Sequence, residues 1–132
     1  MRIFLLSIFV FLSCSPACAE NEEFPQRIRG FWVAEKATCD ILRTKGPAYL
    51  RSDQEWLKIG AKDVLGSTQG RFLQQRLPAR MPNGAHAELS FEIQMLKEPG
   101  LPAHLEDLTL SFDGRLYETI VGARASGSYQ RC

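Results

Sequence analysis

Few residues in this chain are of types and spacings that do chemistry. His86 and His104, with Glu106 and Asp107 close behind, could hold a divalent metal if the fold brought them together. Their spacing is not that of a zinc site, and solvated loop histidines are the commoner use, so no metal is expected. Asp53 and Glu55 could serve as a carboxylate pair in general acid–base work, but acids in such a turn-rich stretch are ordinarily just solvated. There is no Gly-x-Ser-x-Gly elbow, phosphate-cradling glycine loop or dinucleotide fingerprint. No catalytic residue and no cofactor is therefore assigned, and the chain is expected not to be an enzyme. The remaining reactive pair is Cys39 and Cys132, and its chemistry depends on compartment.

Residues 1–19 read as a cleaved signal helix. Arg2 supplies a short basic start, and Ile3 to Leu12 is an apolar run broken only by Ser7. That run is too short to span a bilayer, which takes about 20 apolar residues. Ala17-Cys18-Ala19 is a small-x-small cleavage site, and acidic Glu20, Glu22 and Glu23 follow it. Acylation at Cys14 or Cys18 is the alternative, although Phe11-Leu12-Ser13 is a loose match to a lipobox. Cleavage after Ala19 removes Cys14 and Cys18 and leaves an even pair in an oxidising compartment, where such pairs form disulfides. A Cys39–Cys132 bridge would close a loop of about 93 residues, for which chain entropy predicts about 4–5 kcal/mol. The expected location is periplasmic or secreted.

Residues 20–132 are enough for one domain. The full chain has 16 basic and 15 acidic residues, and loss of Arg2 brings the two into balance. No long-range field then favours nucleic acid or an anionic surface. Arg71, Arg76 and Arg80 read as a solvated basic face. No second apolar stretch exists, so no transmembrane span is expected.

The elements that must position these residues are strands. Ala87, Leu89, Phe91, Ile93 and Met95 alternate with Glu88, Ser90, Glu92 and Gln94, the period-two pattern of a half-buried strand. Leu108, Leu110 and Phe112 alternate with Thr109 and Ser111, and Asp113-Gly114 then signals a hairpin. Residues 115–121 form the return strand and residues 124–131 a last, more polar one. Earlier strands are expected at 31–33, 56–59, 64–65 and 72–77. Ser52 and Glu55 have capping-box spacing, so a short helix over 53–58 competes with the strand there. Six to eight short strands at this cadence predict an all-β domain, a small antiparallel meander closed into a barrel, with a β-sandwich as the alternative.

Gly30-Phe31-Trp32, after the lead Phe24-Pro25-Gln26-Arg27-Ile28-Arg29, resembles the first motif of the calycin superfamily of lipocalins, avidins and small bacterial metalloprotease inhibitors. The resemblance rests on the two ends of the chain, and the middle lipocalin signature is missing. It implies a barrel whose closed end holds Trp32 next to Gly30, with a basic side chain of the last strand, Arg131, packed across the indole. In such a barrel the first and last strands are neighbours, so a Cys39–Cys132 bridge would pin the seam. The Gly-x-Trp lead and the terminal Tyr129-Gln130-Arg131-Cys132 also look like uncharacterised small periplasmic proteins of bacteria. The run Ala125-Ser126-Gly127-Ser128-Tyr129 resembles the Ser-Gly loop that some bacterial lysozyme inhibitors insert into their target, although its spacing and its place near the C-terminus differ from that pattern. The expectation is a non-enzymatic exported binding protein of the bacterial envelope, as an inhibitor of a protease or lysozyme. Its candidate partner-binding segment is Glu22, Glu23, Phe24 and Arg27, and its partner a secreted or periplasmic protein. The alternatives are a carrier of a small apolar ligand, of lipocalin type, and a periplasmic protein of structural role.

Overall fold

The computed structural model describes residues 22–78, 86–96, 102–120 and 125–132. The expected signal helix, its cleavage site and the candidate acylation sites Cys14 and Cys18 lie outside these residues. Eight strands follow one another: β1 (Gly30–Val33), β2 (Trp56–Ile59), β3 (Asp63–Gly66), β4 (Gly70–Arg76), β5 (Ala87–Met95), β6 (His104–Ser111), β7 (Leu116–Ile120) and β8 (Ala125–Arg131). Each pairs antiparallel with the next. β8 returns to β1 through Trp32↔Arg131 and Val33↔Gln130, which closes the sheet. The fold is a closed meander barrel, and closure leaves no edge strand to be covered. The sandwich alternative is excluded.

Period-two patterning places the core inside the barrel. Trp32, Leu57, Ile59, Val64, Phe72, Phe91, Ile93, Met95, Leu108, Leu110, Leu116 and Tyr129 are buried together in one cluster. Phe24 and Ile28 join them from a 3-10 turn at Gln26–Ile28 that precedes β1. Glycine is required at Gly66, where β3 ends with φ +132° and a Cβ would lie 2.3 Å from the Trp56 carbonyl oxygen.

The connection between β1 and β2 carries one short helix, α1 (Thr38–Thr44). Sequence patterning did not signal it, because its buried face is only Thr38, Cys39 and Leu42. The competing helix over 53–58 does not form. Gln54 closes a turn instead, donating its N–H to the Arg51 carbonyl (3.0 Å) and accepting from the Arg51 N–H at its side-chain oxygen (2.9 Å). The Glu55 carbonyl then accepts from Ala34 N–H, so Trp56 to Ile59 are drawn out along β1.

Two readings of strand faces are corrected. Phe112 does not continue the apolar face of β6. The strand stops at Ser111, and Phe112 stands 71% exposed in the hairpin turn. The polar face of β5 is also largely buried, Ser90 and Glu92 included. Glu92 is paired with Arg76 of β4 and accepts from Gln74 (3.2 Å), while Arg76 also approaches Asp107 of β6 at 3.6 Å. Arg76 is thus neutralised by two carboxylates and is not part of a free basic face.

Candidate functional site

At one end the chain seals its own barrel. The Trp32 indole donates to the Ile28 carbonyl at 2.8 Å, which fixes the ring under the 3-10 turn. The Arg131 guanidinium lies over that ring, 5.5 Å from its centroid. It also donates to the carbonyls of Arg27 and Arg29, the latter at 2.8 Å. One side chain of the last strand therefore ties together β1, β8 and the N-terminal turn. Gly30, at φ +114°, makes the step from that turn into β1. Cys39 and Cys132 are bonded, with their Cα atoms 5.5 Å apart, and Cys132 N–H donates to the Phe31 carbonyl. The bridge fastens α1 to the end of β8, beside the β1–β8 seam.

The candidate partner-binding segment is mostly built into this seal. Phe24 is 0% exposed. Its ring meets those of Phe72 and Phe91 edge-on, with centroids 4.8 and 5.4 Å apart, and its N–H donates to the Ala61 carbonyl. It fills the barrel and is not available to a partner, which corrects that part of the expectation. Glu23 pairs with Arg29 at 3.0 Å, and Arg29 in turn donates to the Phe24 carbonyl at 2.8 Å. Arg27 pairs with Glu88 at the start of β5 and is half exposed. Glu22 is exposed.

The two histidines are not brought together. His86 lies opposite Phe112 at the sealed end, whereas His104 pairs with Met95 at the far end of the same strand. Nine residues of strand separate those positions, roughly 30 Å. Among the described residues no group of three or more His, Cys, Asp or Glu is arranged to hold a metal ion. Asp53 pairs with Arg51 at 3.1 Å and forms no dyad with Glu55. Ser126-Gly127-Ser128 is part of β8, where Gly127 pairs with Glu118, so it is a wall of the barrel and not an inserted loop.

The opposite end, the mouth, brings His104 and Glu106 together with Glu118 and Thr68, two residues not singled out from the sequence. Glu106 of β6 and Glu118 of β7 point inward and are 5% and 6% exposed. His104 Nε2 and Glu106 Oε1 are hydrogen-bonded at 2.8 Å, and Thr68, in the β3–β4 turn, donates to Glu118 at 3.1 Å. Burial, and secondarily the adjacent Glu106, push the Glu118 carboxyl up to about 8, so it holds a proton at neutral pH. Glu106 Oε2 is buried and has no hydrogen-bond partner among the described residues. Glu118 lies within side-chain hydrogen-bonding reach of Glu106. Burial and the same acids also raise the Tyr129 phenol. His104 is raised by the Pro102 carbonyl and then by Glu106. The sequence does carry a signal for these acids: Glu106-x-Leu108-x-Leu110 and Leu116-x-Glu118 each place a carboxylate in register with inward apolar residues.

The molecule is thus a closed eight-stranded antiparallel barrel, compatible with a calycin-like fold, sealed at one end and acid-lined at the other. Compared with protein-family models, curated proteins and solved structures, the chain matches none. Among the described residues no helix is long and apolar enough to cross a membrane.

Proposed function

We propose that this chain is a non-enzymatic exported binding protein of the bacterial envelope that acts on another protein, as an inhibitor of a secreted protease or lysozyme. The observation that carries the reading is the filled barrel. Phe24, Ile28, Trp32, Phe72 and Phe91 pack against one another where a lipocalin-type carrier would need a cavity. Binding then falls to exposed groups on a rigid frame, the usual division between scaffold and recognition loops. Two such groups are Tyr49, on the β1–β2 connection fastened by the disulfide, and Phe112, on the β6–β7 hairpin. The glycine–tryptophan–arginine seal supports kinship with the calycin-type inhibitors, and export supports an extracytoplasmic target.

Titration of the oxidised protein, residues 20–132, against secreted metalloproteases, serine proteases and lysozymes tests this reading. Stoichiometric, saturable inhibition of at least one, weakened by Tyr49→Ala or Phe112→Ala, is expected. Inhibition of none, together with a small molecule that copurifies with the protein, would replace it with the carrier reading.

A further inference from the structure

Closing the ring does not make its strands equal in length. β3 meets β4 only through Asp63↔Arg71 and Val64↔Gly70, and one further bond, from Phe72 N–H to the Lys62 carbonyl, ends that seam. On its other side β4 stays paired with β5 as far as Arg76↔Ser90. A register shift between Phe72 and Gln74 marks a bulge there, which bends the strand. Residues 73–76 therefore run past β3 with one side in the sheet and the other open. Among the described residues nothing covers this overhang. Leu73 is 39% exposed, Gln74 and Gln75 are exposed, and Leu77, which follows them, is 91% exposed. β8 also outruns β1, but Gly127 and Ser128 there are half-buried.

An open strand edge that carries apolar side chains is a template for another strand. The bounds of the overhang decide which strand fits. Phe72 is the last residue engaged from the β3 side, and Pro78, which has no N–H, ends the run that can pair. The five residues between, Leu73-Gln74-Gln75-Arg76-Leu77, read nearly alike in both directions about Gln75. Laid antiparallel to a copy of itself, the run puts Gln75 on the two-fold axis, Gln74 opposite Arg76, and Leu73 opposite Leu77. Each leucine then meets a leucine on one face. No like charges are opposed, and Arg76 is already neutralised by Glu92 and Asp107. The net charge of +1 sets little repulsion against self-association. We propose that this edge is a homodimer contact, in which two copies of the chain join antiparallel through residues 73–77 about a two-fold axis at Gln75.

Five residue pairs fall short of the roughly 1,200 Å² that a tight complex buries, so the dimer is weak and reversible. Sedimentation of the oxidised protein from about 1 μM to about 1 mM should show the average mass rising towards twice that of one chain. Leu77→Lys puts a charge against a leucine at each end of the pair and should hold the mass at one chain throughout. Its melting temperature should match the wild type, because the residue is exposed. Gln75→Cys places two thiols together on the axis. On air oxidation it should form a linked dimer about tenfold or more faster than Lys45→Cys, an exposed position just after α1. A single-chain mass across the whole range, a dimer that survives Leu77→Lys, or no faster linking at Gln75→Cys than at Lys45→Cys would each overturn the proposal.

Discussion

Replacing Phe24 by alanine tests whether the N-terminal segment is an arm or part of the core. Phe24 is 0% exposed and meets two other rings edge-on. Truncating a buried phenylalanine to alanine costs about 3–5 kcal/mol. Each edge-to-face pair is worth about 0.5–1.5 kcal/mol beyond its area, a part already contained in that range. The Ala61 bond is made by the backbone and survives the substitution. A loss near 4 kcal/mol would be a large share of the roughly 5–15 kcal/mol that holds a domain together. Urea unfolding of the oxidised protein should show a lower midpoint at an unchanged slope. The vacated space is apolar and enclosed, so a small probe such as benzene should recover part of the lost stability. A loss under about 1 kcal/mol, with no benzene effect, would mean that Phe24 does not fill the barrel and that residues 22–29 are a free arm after all.

Three further outcomes are expected. The folded Glu118 carboxyl, at about 8, lies above its ordinary 4.5, so the folded state holds more protons between those values. The contribution of this carboxyl is fully present below about pH 4.5 and is lost as pH rises through 8, on the order of several kcal/mol at about 1.4 kcal/mol per unit. Denaturant unfolding at pH 5 and pH 8.5 checks this, and Glu118→Gln should flatten the difference. Cys132→Ser should lower stability by up to about 4–5 kcal/mol, and reductant should lower the melting temperature of the wild type alone; equal melting under oxidising conditions would count against the bridge. Arg131→Met should cost about 2 kcal/mol by urea unfolding, since it removes two charged hydrogen bonds and the cover over Trp32.

Most of the barrel was legible because its strands obey a period of two. Residues 87–95 and the Asp113-Gly114 hairpin lie where the alternation puts them. The ends of the barrel were also legible, since Gly30, Trp32, Arg131 and the two cysteines are few and chemically distinct. What escaped was decided by tertiary contacts. Phe24 sits in a polar stretch, and only the enclosed space between Phe72 and Phe91 draws it inward. α1 is held by one disulfide and one leucine, too little periodicity to show. Phe112 breaks its pattern because the turn needs Ser111 and Asp113, whose carboxylate also caps the Arg115 N–H at 3.0 Å. Glu118 looks like an ordinary strand acid until closure of the barrel sets it across from Thr68.

Native mass spectrometry of the protein recovered from its own compartment, without denaturation, tests the central claim most directly. The account predicts a chain beginning at Glu20, lighter by two hydrogens for the Cys39–Cys132 bond, with no small molecule bound and a fraction in complex with another protein. A stoichiometric apolar adduct that leaves only on unfolding would contradict the filled barrel and the function proposed from it.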